Sequence, residues 1–272
     1  MSSVSVRPLG DHLRTWRQRR RMSQLDLALE AEISQKHLSF VESGRSVPSR
    51  EMVLNLAERL DVPLRERNMM LLSAGYAPLF PERSLDDPAM APARAAIDLV
   101  LKAHTPFPAL AVDRHWNLVL ANAALPPLLA GVSDRSLLEP PINVLRLSLH
   151  PGGLAPLIAN LAEWRAHLMD RLHRQIEVTA DPVLSRLRSE LLAYSSDRES
   201  GPHGNVDSYA GLVVPLQLRT PQGVLSFLST TTVFGTPIDV TLSELAVEAF
   251  LPADAATSDA LRALATSRDG KA

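Results

Sequence analysis

The stretch SQLDLALEAEISQKHLSFVESGRSVPS, residues 23–49, decides the fold of the first part of the chain. Ser23 and Ser34 are both good helix N-caps, and each is followed by apolar residues at helical spacing. The tripeptide Ala31-Glu32-Ile33 separates the two segments, and the small side chain of Ala28 allows them to cross closely. The stretch therefore predicts two short helices that pack across a tight turn. Their packing leaves the polar start of the second helix exposed.

The residues on either side extend this helical pattern. A first helix is expected over residues 9–21, and Gly44 is a suitable residue to end the helix that begins at Ser34. Ser49 is the expected N-cap of a fourth helix, and Pro63 fits the first turn of a fifth, which ends at Gly75. Residues 1–75 are therefore predicted to form an all-α domain of five helices.

Positive charge is concentrated near the start of the chain. The net charge is −2, yet residues 1–76 hold twelve Lys or Arg residues against nine Asp or Glu residues. Five arginines lie between Arg14 and Arg21. A basic N-terminal part on an otherwise mildly acidic chain is typical of a protein that contacts a polyanion with one part only, although many arginine-rich helix faces are merely solvated.

The composition also excludes several classes of site. The chain has no cysteine, which rules out a disulfide framework, a thiolate zinc site and a cysteine nucleophile, and which fits a reducing compartment. No apolar stretch has the length of a signal peptide or a membrane span. We therefore expect a soluble, cytoplasmic protein that does not contact a membrane.

The exposed start of the second helix, Ser34 to Ser39, suits the DNA major groove, where amide and ammonium side chains reach base edges. The spacing of residues 24–49 resembles the helix-turn-helix of the Xre/Cro/C1 repressor family. The resemblance implies that double-stranded DNA is the partner, that bases are read on the second helix and that Gln24 contacts a phosphate. The implied DNA-binding residues are Gln24, Ser34, Gln35, Lys36, Ser39, Arg45 and Arg50.

Three further expectations concern this domain. Arg17 and Glu42 match the family's structural pair between the first and third helices. Phe40 could meet a thymine methyl group or lie in the core. One domain of this size is too small for strong specificity, so a homodimer on two half-sites is expected. The alternative is a five-helix bundle that binds protein partners.

The composition changes after the fifth helix. Residues 76–92 contain Pro78, Pro81, Pro88 and Pro92, which predicts a linker. Residues 93–255 then mix helical and strand patterns and predict one α+β domain. Residues 256–272 are expected to be a flexible C-terminal tail.

Within residues 93–255 we expect the following order of elements. A helix near residue 93 is followed by a hairpin over 109–122 and a helical segment over 154–195. Strands at 211–218 and 224–232 flank the turn sequence Thr220-Pro-Gln-Gly. A final amphipathic helix is predicted over 242–250.

Several phrases resemble a narrower family, the MmyB-like regulators. These phrases include Leu64-Arg-Glu-Arg-Asn, Ala74-Gly-Tyr-Ala-Pro, Leu161-Ala-Glu-Trp-Arg and Phe234-Gly-Thr-Pro-Ile-Asp-Val. The resemblance implies a PAS-like second domain with an apolar cavity for a small effector, and fatty-acid-like molecules are the leading candidates for that effector. For any single lining residue the alternative is an ordinary core position. The predicted ligand-binding residues are Leu110, Val112, Trp116, Leu128, Leu129, Leu145, Leu157, Leu161, Trp164, Leu168, Val214, Leu216 and Phe227.

The sequence contains few of the motifs that are typical of catalytic sites. The histidines are scattered, with no HExxH or HxH spacing, and no Gly-x-Ser-x-Gly elbow or glycine-rich phosphate loop occurs. His150-Pro-Gly-Gly is the most suggestive motif, although a turn histidine is the simpler interpretation. We therefore predict a DNA-binding transcriptional regulator with no catalytic residues, metal or cofactor. The alternatives are a second domain that only dimerises or docks partners, and an enzyme fused to a DNA-binding domain.

Overall fold

The computed structural model describes residues 7–194, 213–235 and 237–269. The chain divides into two compact units. The N-terminal unit contains Met1–Arg83 together with Glu177–Thr179 and Thr236–Ser243, and the C-terminal unit contains Ser84–Ile176, Ala180–Gly235 and Glu244–Ala272. The helix-turn-helix region and the α+β domain expected from the sequence are both present.

The N-terminal unit is built on five helices with short connections. The serines at 23, 34 and 49 each accept a hydrogen bond from a backbone N–H of the following first turn, so the predicted N-caps are confirmed. Glu32 and Gly44 adopt positive φ angles of 57° and 73° at the ends of the second and third helices. The helices are α1 (Leu9–Arg19), α2 (Gln24–Glu30), α3 (Gln35–Glu42), α4 (Arg50–Arg59) and α5 (Leu64–Ser73).

Apolar side chains from all five helices form one core. Leu13, Leu27, Leu38, Leu56 and Leu71 are completely buried. Burial of one such side chain contributes roughly 1.5–3 kcal/mol, so this cluster fixes the angle between the helices. As a result, the apolar underside of α3 determines which way its polar face points.

The C-terminal unit contains a five-stranded antiparallel sheet in the order β2-β1-β5-β4-β3. Helix α6 packs beside β1, β2 and β5, and the main apolar cluster joins β1, β3 and β4 to α7, α8 and α9. The strands are β1 (Ala109–Val112), β2 (Leu118–Ala121), β3 (Leu216–Thr220), β4 (Gly223–Val233) and β5 (Ala246–Pro252). The helices of this unit before β5 are α6 (Ala91–Ala103), α7 (Val144–Leu149), α8 (Leu161–Thr179, whose last three residues belong to the N-terminal unit) and α9 (Pro182–Ala193). Helix α10 (Val240–Ser243) belongs to the N-terminal unit.

The predicted helix over residues 242–250 is wrong, because most of that segment is β5, the central strand. β5 pairs with β1 on one side and with β4 on the other, and Val247, Glu248 and Ala249 are buried. Alanine and glutamate favour helices, but pairing with two neighbouring strands outweighs that weak preference. β1 also lies inside the sheet, because it pairs with β2 on one side and with β5 on the other.

The predicted flexible tail is also corrected by the structure. Helix α11 spans Ala255–Asp269, and it packs on β4 and β5. Leu261 is 3% exposed and belongs to the main apolar cluster, and the Thr257 hydroxyl accepts a hydrogen bond from the Ser226 amide. The sequence signal was weak because only part of one helix face is apolar. Residues 270–272 lie outside the described chain.

Two other predicted elements are the turn at Thr220 and the strand before it. The turn at Thr220-Pro-Gln-Gly joins β3 to β4 as expected, with Thr220 opposite Gly223 in the register. The first two residues of the strand predicted over 211–218 lie outside the described residues. Within the described ranges, none of the helices combines the length and the apolar character needed to cross a bilayer.

Candidate nucleic-acid interface and candidate ligand cavity

The polar start of α3 is exposed in the N-terminal unit. Ser34, Gln35 and Lys36 are exposed, and Ser39 is half-buried. The opposite face of the same helix is buried through Leu38 and neighbouring apolar residues. The first turn of α3 therefore presents amide, ammonium and hydroxyl groups on a support held by the core.

Glu42 holds α1, α2 and α3 together from the end of α3. Its carboxylate is buried and accepts a hydrogen bond from Arg17 Nε at 2.7 Å. Burial raises the pKa of the Glu42 carboxyl, but the hydrogen bonds from Arg17 and Gln24 and the charges of Arg17 and Arg14 leave that pKa below its usual value. The pair of Arg17 and Glu42 predicted from the sequence is confirmed.

Gln24 makes a contact that the sequence did not predict. Its Nε2 donates to Glu42 Oε2 at 2.8 Å, so the side chain is held against the interior of the unit. The prediction for Gln24 was a phosphate contact. Such a contact would use the second N–H of the same nitrogen, because the first N–H is engaged.

Phe40 lies between two of the predicted DNA-binding cations. Lys36 Nζ is 5.7 Å and Arg45 Cζ is 5.9 Å from the centre of the Phe40 ring. Both distances lie within the range of a cation–π contact. Phe40 is half-buried, and its ring is a support for both cations.

Arg50 is the first residue of α4 and is half-buried. Its Nε is shielded from solvent and has no hydrogen-bond partner among the described residues. A contact from Arg50 to a phosphate would therefore use the terminal Nη atoms. Arg45, in contrast, is exposed beyond the end of α3.

The C-terminal unit encloses an apolar cavity of about 100 Å³ between the sheet and its helices. The sequence-predicted residues that line it are Leu110, Trp116, Leu128, Leu129, Leu145, Trp164, Leu168, Leu216 and Phe227. Val112, Leu157, Leu161 and Val214 do not line it and belong instead to the surrounding apolar cluster. The prediction that these four contact a ligand is not supported by the geometry of this cavity.

Sequence reasoning missed further residues of the cavity wall. Leu118 and Phe250 come from strands, and Leu154 comes from the segment after α7. The missed residues include four with polar side chains: Ser148, Arg171, Ser229 and Glu248. Alternation along β4 could have indicated Ser229, which follows Leu225 and Phe227 on the same face. Glu248 could not be found while its segment was predicted to be a helix.

Arg171 and Glu248 form an ion pair in the cavity wall. Arg171 Nη1 donates to Glu248 Oε2 at 2.9 Å, and the other terminal nitrogen of Arg171 donates to Glu248 Oε1. The guanidinium carbon lies 4.5 Å from the centre of the Trp116 ring. The Trp116 indole in turn donates to Gln175 Oε1 at 2.8 Å, which fixes the ring.

His150, the most suggestive catalytic candidate, is a turn residue. Its Nδ1 accepts a hydrogen bond from the Gly152 amide at 3.0 Å, and the ring makes an edge contact with Tyr194. Across the described ranges, no group of three or more His, Asp or Glu side chains is placed to hold a metal ion. His203 lies outside the described residues.

A helix-turn-helix region followed by a cavity-bearing α+β domain defines a DNA-binding transcription regulator. Residues 8–69 match the family described as helix-turn-helix domain. Residues 93–264 match the family described as MmyB-like transcription regulator ligand binding domain. The chain therefore belongs to the MmyB-like transcription regulators. A search of curated proteins finds no match.

Proposed function

We propose that this chain is a cytoplasmic regulator that binds specific double-stranded DNA sequences as a homodimer and responds to a small apolar effector. The observation that carries the DNA-binding part is the exposed start of α3 above its buried apolar face. The domain limits follow the sequence: a DNA-binding domain at residues 1–75, a linker at 76–92 and a PAS-like domain from residue 93. α11 is added to that second domain.

The proposed roles follow from exposure. Gln35, Lys36 and Ser39 read bases in the major groove, where each good base contact contributes about 1–3 kcal/mol of discrimination. Ser34 uses its oxygen as the cap of α3, so its part is to hold the first turn against the DNA backbone. Arg45 and Arg50 contact phosphates. Gln24 contributes only a minor phosphate contact, because its side-chain amide already donates a hydrogen bond to Glu42.

The homodimer is proposed on physical grounds. One recognition helix contacts only a few base pairs, which gives modest specificity. Two copies bound about one helical turn apart place their α3 helices in successive major grooves on one side of the duplex. The binding free energies then add, and the operator becomes a two-fold repeat.

The effector is proposed from the apolar cavity. Its volume of about 100 Å³ is below the ~300–1,000 Å³ of ordinary ligand sites and below the ~150 Å³ of an engineered cavity that holds benzene. The effector is therefore small, or its binding moves part of the wall. Leu128, Leu129 and Leu154 are half-buried. The first two lie in a short 3-10 helix and Leu154 lies just before another, and such short segments are the wall parts that move most easily. An apolar chain like that of a fatty acid fits if these segments move; the apolar wall selects the chain alone and leaves the headgroup open.

The DNA-binding proposal is tested with the full chain on duplexes selected from a random pool. Gln35→Ala and Lys36→Ala should each cut the preference for the selected duplex over a scrambled one by about tenfold. Arg45→Ala should weaken binding to both duplexes equally and should lower the salt dependence by about 0.9 in log–log slope. Arg59→Ala, at the exposed end of α4, is the matched control. Equal losses on both duplexes for all the variants would refute the assigned base readers.

The effector proposal is tested by mass spectrometry of small molecules released from the purified chain. Leu128→Trp places an indole in the cavity and should remove the bound molecule. Val183→Trp, at an exposed position of α9, should leave it bound. The cavity is not an effector site if the original chain, Leu128→Trp and Val183→Trp all release the same molecules. The same conclusion follows if no molecule is released and a panel of small apolar molecules causes no thermal shift.

A further inference from the structure

The two charged side chains of the cavity wall, Arg171 and Glu248, are paired with each other, which bears on the chemistry of the effector. This inference rests on the proposed function, since it concerns the same cavity. Arg171 and Glu248 come from α8 and β5, and Ser229 comes from the cavity face of β4. Ser148 in α7 completes the polar part of the wall. The remaining wall is almost entirely apolar.

Arg171 is held in place on three sides. Both of its terminal nitrogens donate to Glu248, and one of them also donates to Thr231 Oγ1 at 2.7 Å. Its guanidinium carbon lies over the Trp116 ring. A guanidinium that is bound at both ends in this way cannot turn to a new anion without breaking several contacts at once.

Glu248 requires Arg171. Glu248 is 3% exposed and lies on the central strand, opposite Leu110 of β1 and Thr231 of β4. Its carboxylate accepts hydrogen bonds from Arg171 and from the Thr231 hydroxyl. If a ligand drew Arg171 away, a buried carboxylate would lose its counter-charge, which is strongly unfavourable.

The two charges cancel, so the cavity has no net charge with which to receive an ion. A ligand carboxylate would lose its hydration, would share Arg171 with Glu248 and would be repelled by Glu248. An ammonium would be repelled by Arg171 in the same way. Neutral polar groups meet no such cost, because hydroxyls are available. Ser148 Oγ accepts from Trp164 Nε1 at 3.0 Å, and among the described residues its hydroxyl proton has no acceptor, so that proton can be donated to a ligand.

We propose that the effector carries an uncharged hydrogen-bonding headgroup, of the alcohol, amide or ester type, on a small apolar body. The headgroup lies beside Ser148, Ser229 and the Arg171–Glu248 pair, and the apolar body lies among the leucines. A free carboxylate is selected against by Glu248. Glu248 is thereby a specificity-determining residue of the site.

The test compares hexanamide with hexanoate, which have nearly the same shape and differ in charge at neutral pH. Binding to the full chain is measured by titration calorimetry, with hexanol and hexylammonium as further probes. Hexanamide and hexanol should bind at least about tenfold more tightly than hexanoate or hexylammonium. This comparison uses the unaltered chain, so it does not depend on the folding of any variant.

Glu248→Gln identifies the source of the preference. The glutamine keeps an oxygen for Arg171 and Thr231 but removes the negative charge, so hexanoate should gain about tenfold and its disadvantage should disappear. Hexanamide binding should change by less than about threefold. Glu190→Gln is the matched control, because Glu190 forms the same bidentate pair with Arg146 away from the cavity.

The outcomes separate this inference from the proposed function. Tighter binding of hexanoate than hexanamide by the unaltered chain, or a preference unchanged in Glu248→Gln, would overturn the uncharged headgroup while leaving the effector cavity in place. If none of the probes binds any of the proteins, the effector part of the proposed function falls together with this inference, while the DNA-binding part stands.

Discussion

Replacing Gly10 by alanine should loosen the helix-turn-helix unit at the crossing of α1 and α3. A Cβ atom on Gly10 would lie 2.1 Å from the carbonyl oxygen of Glu42 and 2.7 Å from its carbonyl carbon. Ordinary van der Waals contact begins near 3.4 Å, so the two helices would have to separate by about 1.3 Å. The obstructing atoms are backbone atoms, so no side chain can swing aside to make room.

The expected cost follows from two opposing effects. Overpacking a well-packed core costs typically 1–3 kcal/mol, and a clash with backbone belongs at the upper end of that range. Alanine regains about 1 kcal/mol of helix propensity over glycine. The net loss is about 2 kcal/mol, which corresponds to about a thirtyfold rise in the opening equilibrium. The shift also disturbs the bond from Arg14 Nη2 to the Glu42 carbonyl.

Hydrogen exchange of the α3 amides in the full chain measures this loss. Protection of Leu38 and Val41 should fall by about thirtyfold in Gly10→Ala, and specific DNA affinity should fall with it because α3 carries the proposed base readers. Gln18→Ala, on the exposed face of α1, should leave both measurements unchanged. Protection equal to or above that of the original protein would show that the crossing is looser than these distances, and would refute the reasoning.

Three further perturbations have defined outcomes. Because its folded-state pKa is lowered, ionised Glu42 contributes stability that is present at neutral pH and is lost as pH falls through that lowered value. Hydrogen-exchange protection of the α3 amides should therefore fall over this pH range, and in Glu42→Gln the protection should depend much less on pH. Leu261→Ala should destabilise the C-terminal unit by about 3 kcal/mol in urea denaturation followed by tryptophan emission, whereas no effect would mean that α11 does not pack on the sheet. Asn122→Ala should cost about 2–3 kcal/mol in the same assay, because the buried Asn122 amide bonds four backbone groups, and a cost under 0.5 kcal/mol would contradict that role.

The DNA-binding half was largely predictable because its signals are local. Caps at Ser23, Ser34 and Ser49 and the turn at Glu32 depend on residues only a few positions apart. The pair of Arg17 and Glu42, 25 positions apart, was implied by the family resemblance. What the sequence could not give was the bond from Gln24 to Glu42, since a glutamine at that position can face either the solvent or the interior.

The C-terminal half was predictable only in outline. Two short apolar runs indicated the β1–β2 hairpin, and a turn sequence indicated the strands around Thr220, but β5 contains alanine and glutamate, which favour helices. The same limit applied to α11, whose single buried leucine gave little periodic signal. In both places the deciding contacts come from chain segments far away in the sequence.

The sequence by itself determined the five N-terminal helices, three of which have serine N-caps, as well as the exposed start of α3 and the presence of an α+β domain, because those features depend on propensity and spacing over a few residues. Tertiary structure alone decided that residues 246–252 form the central strand and that Glu248 pairs with Arg171, 77 positions earlier, in the wall of an apolar cavity. The physical reason is that strand pairing and the burial of a charge are settled by partners distant in the chain.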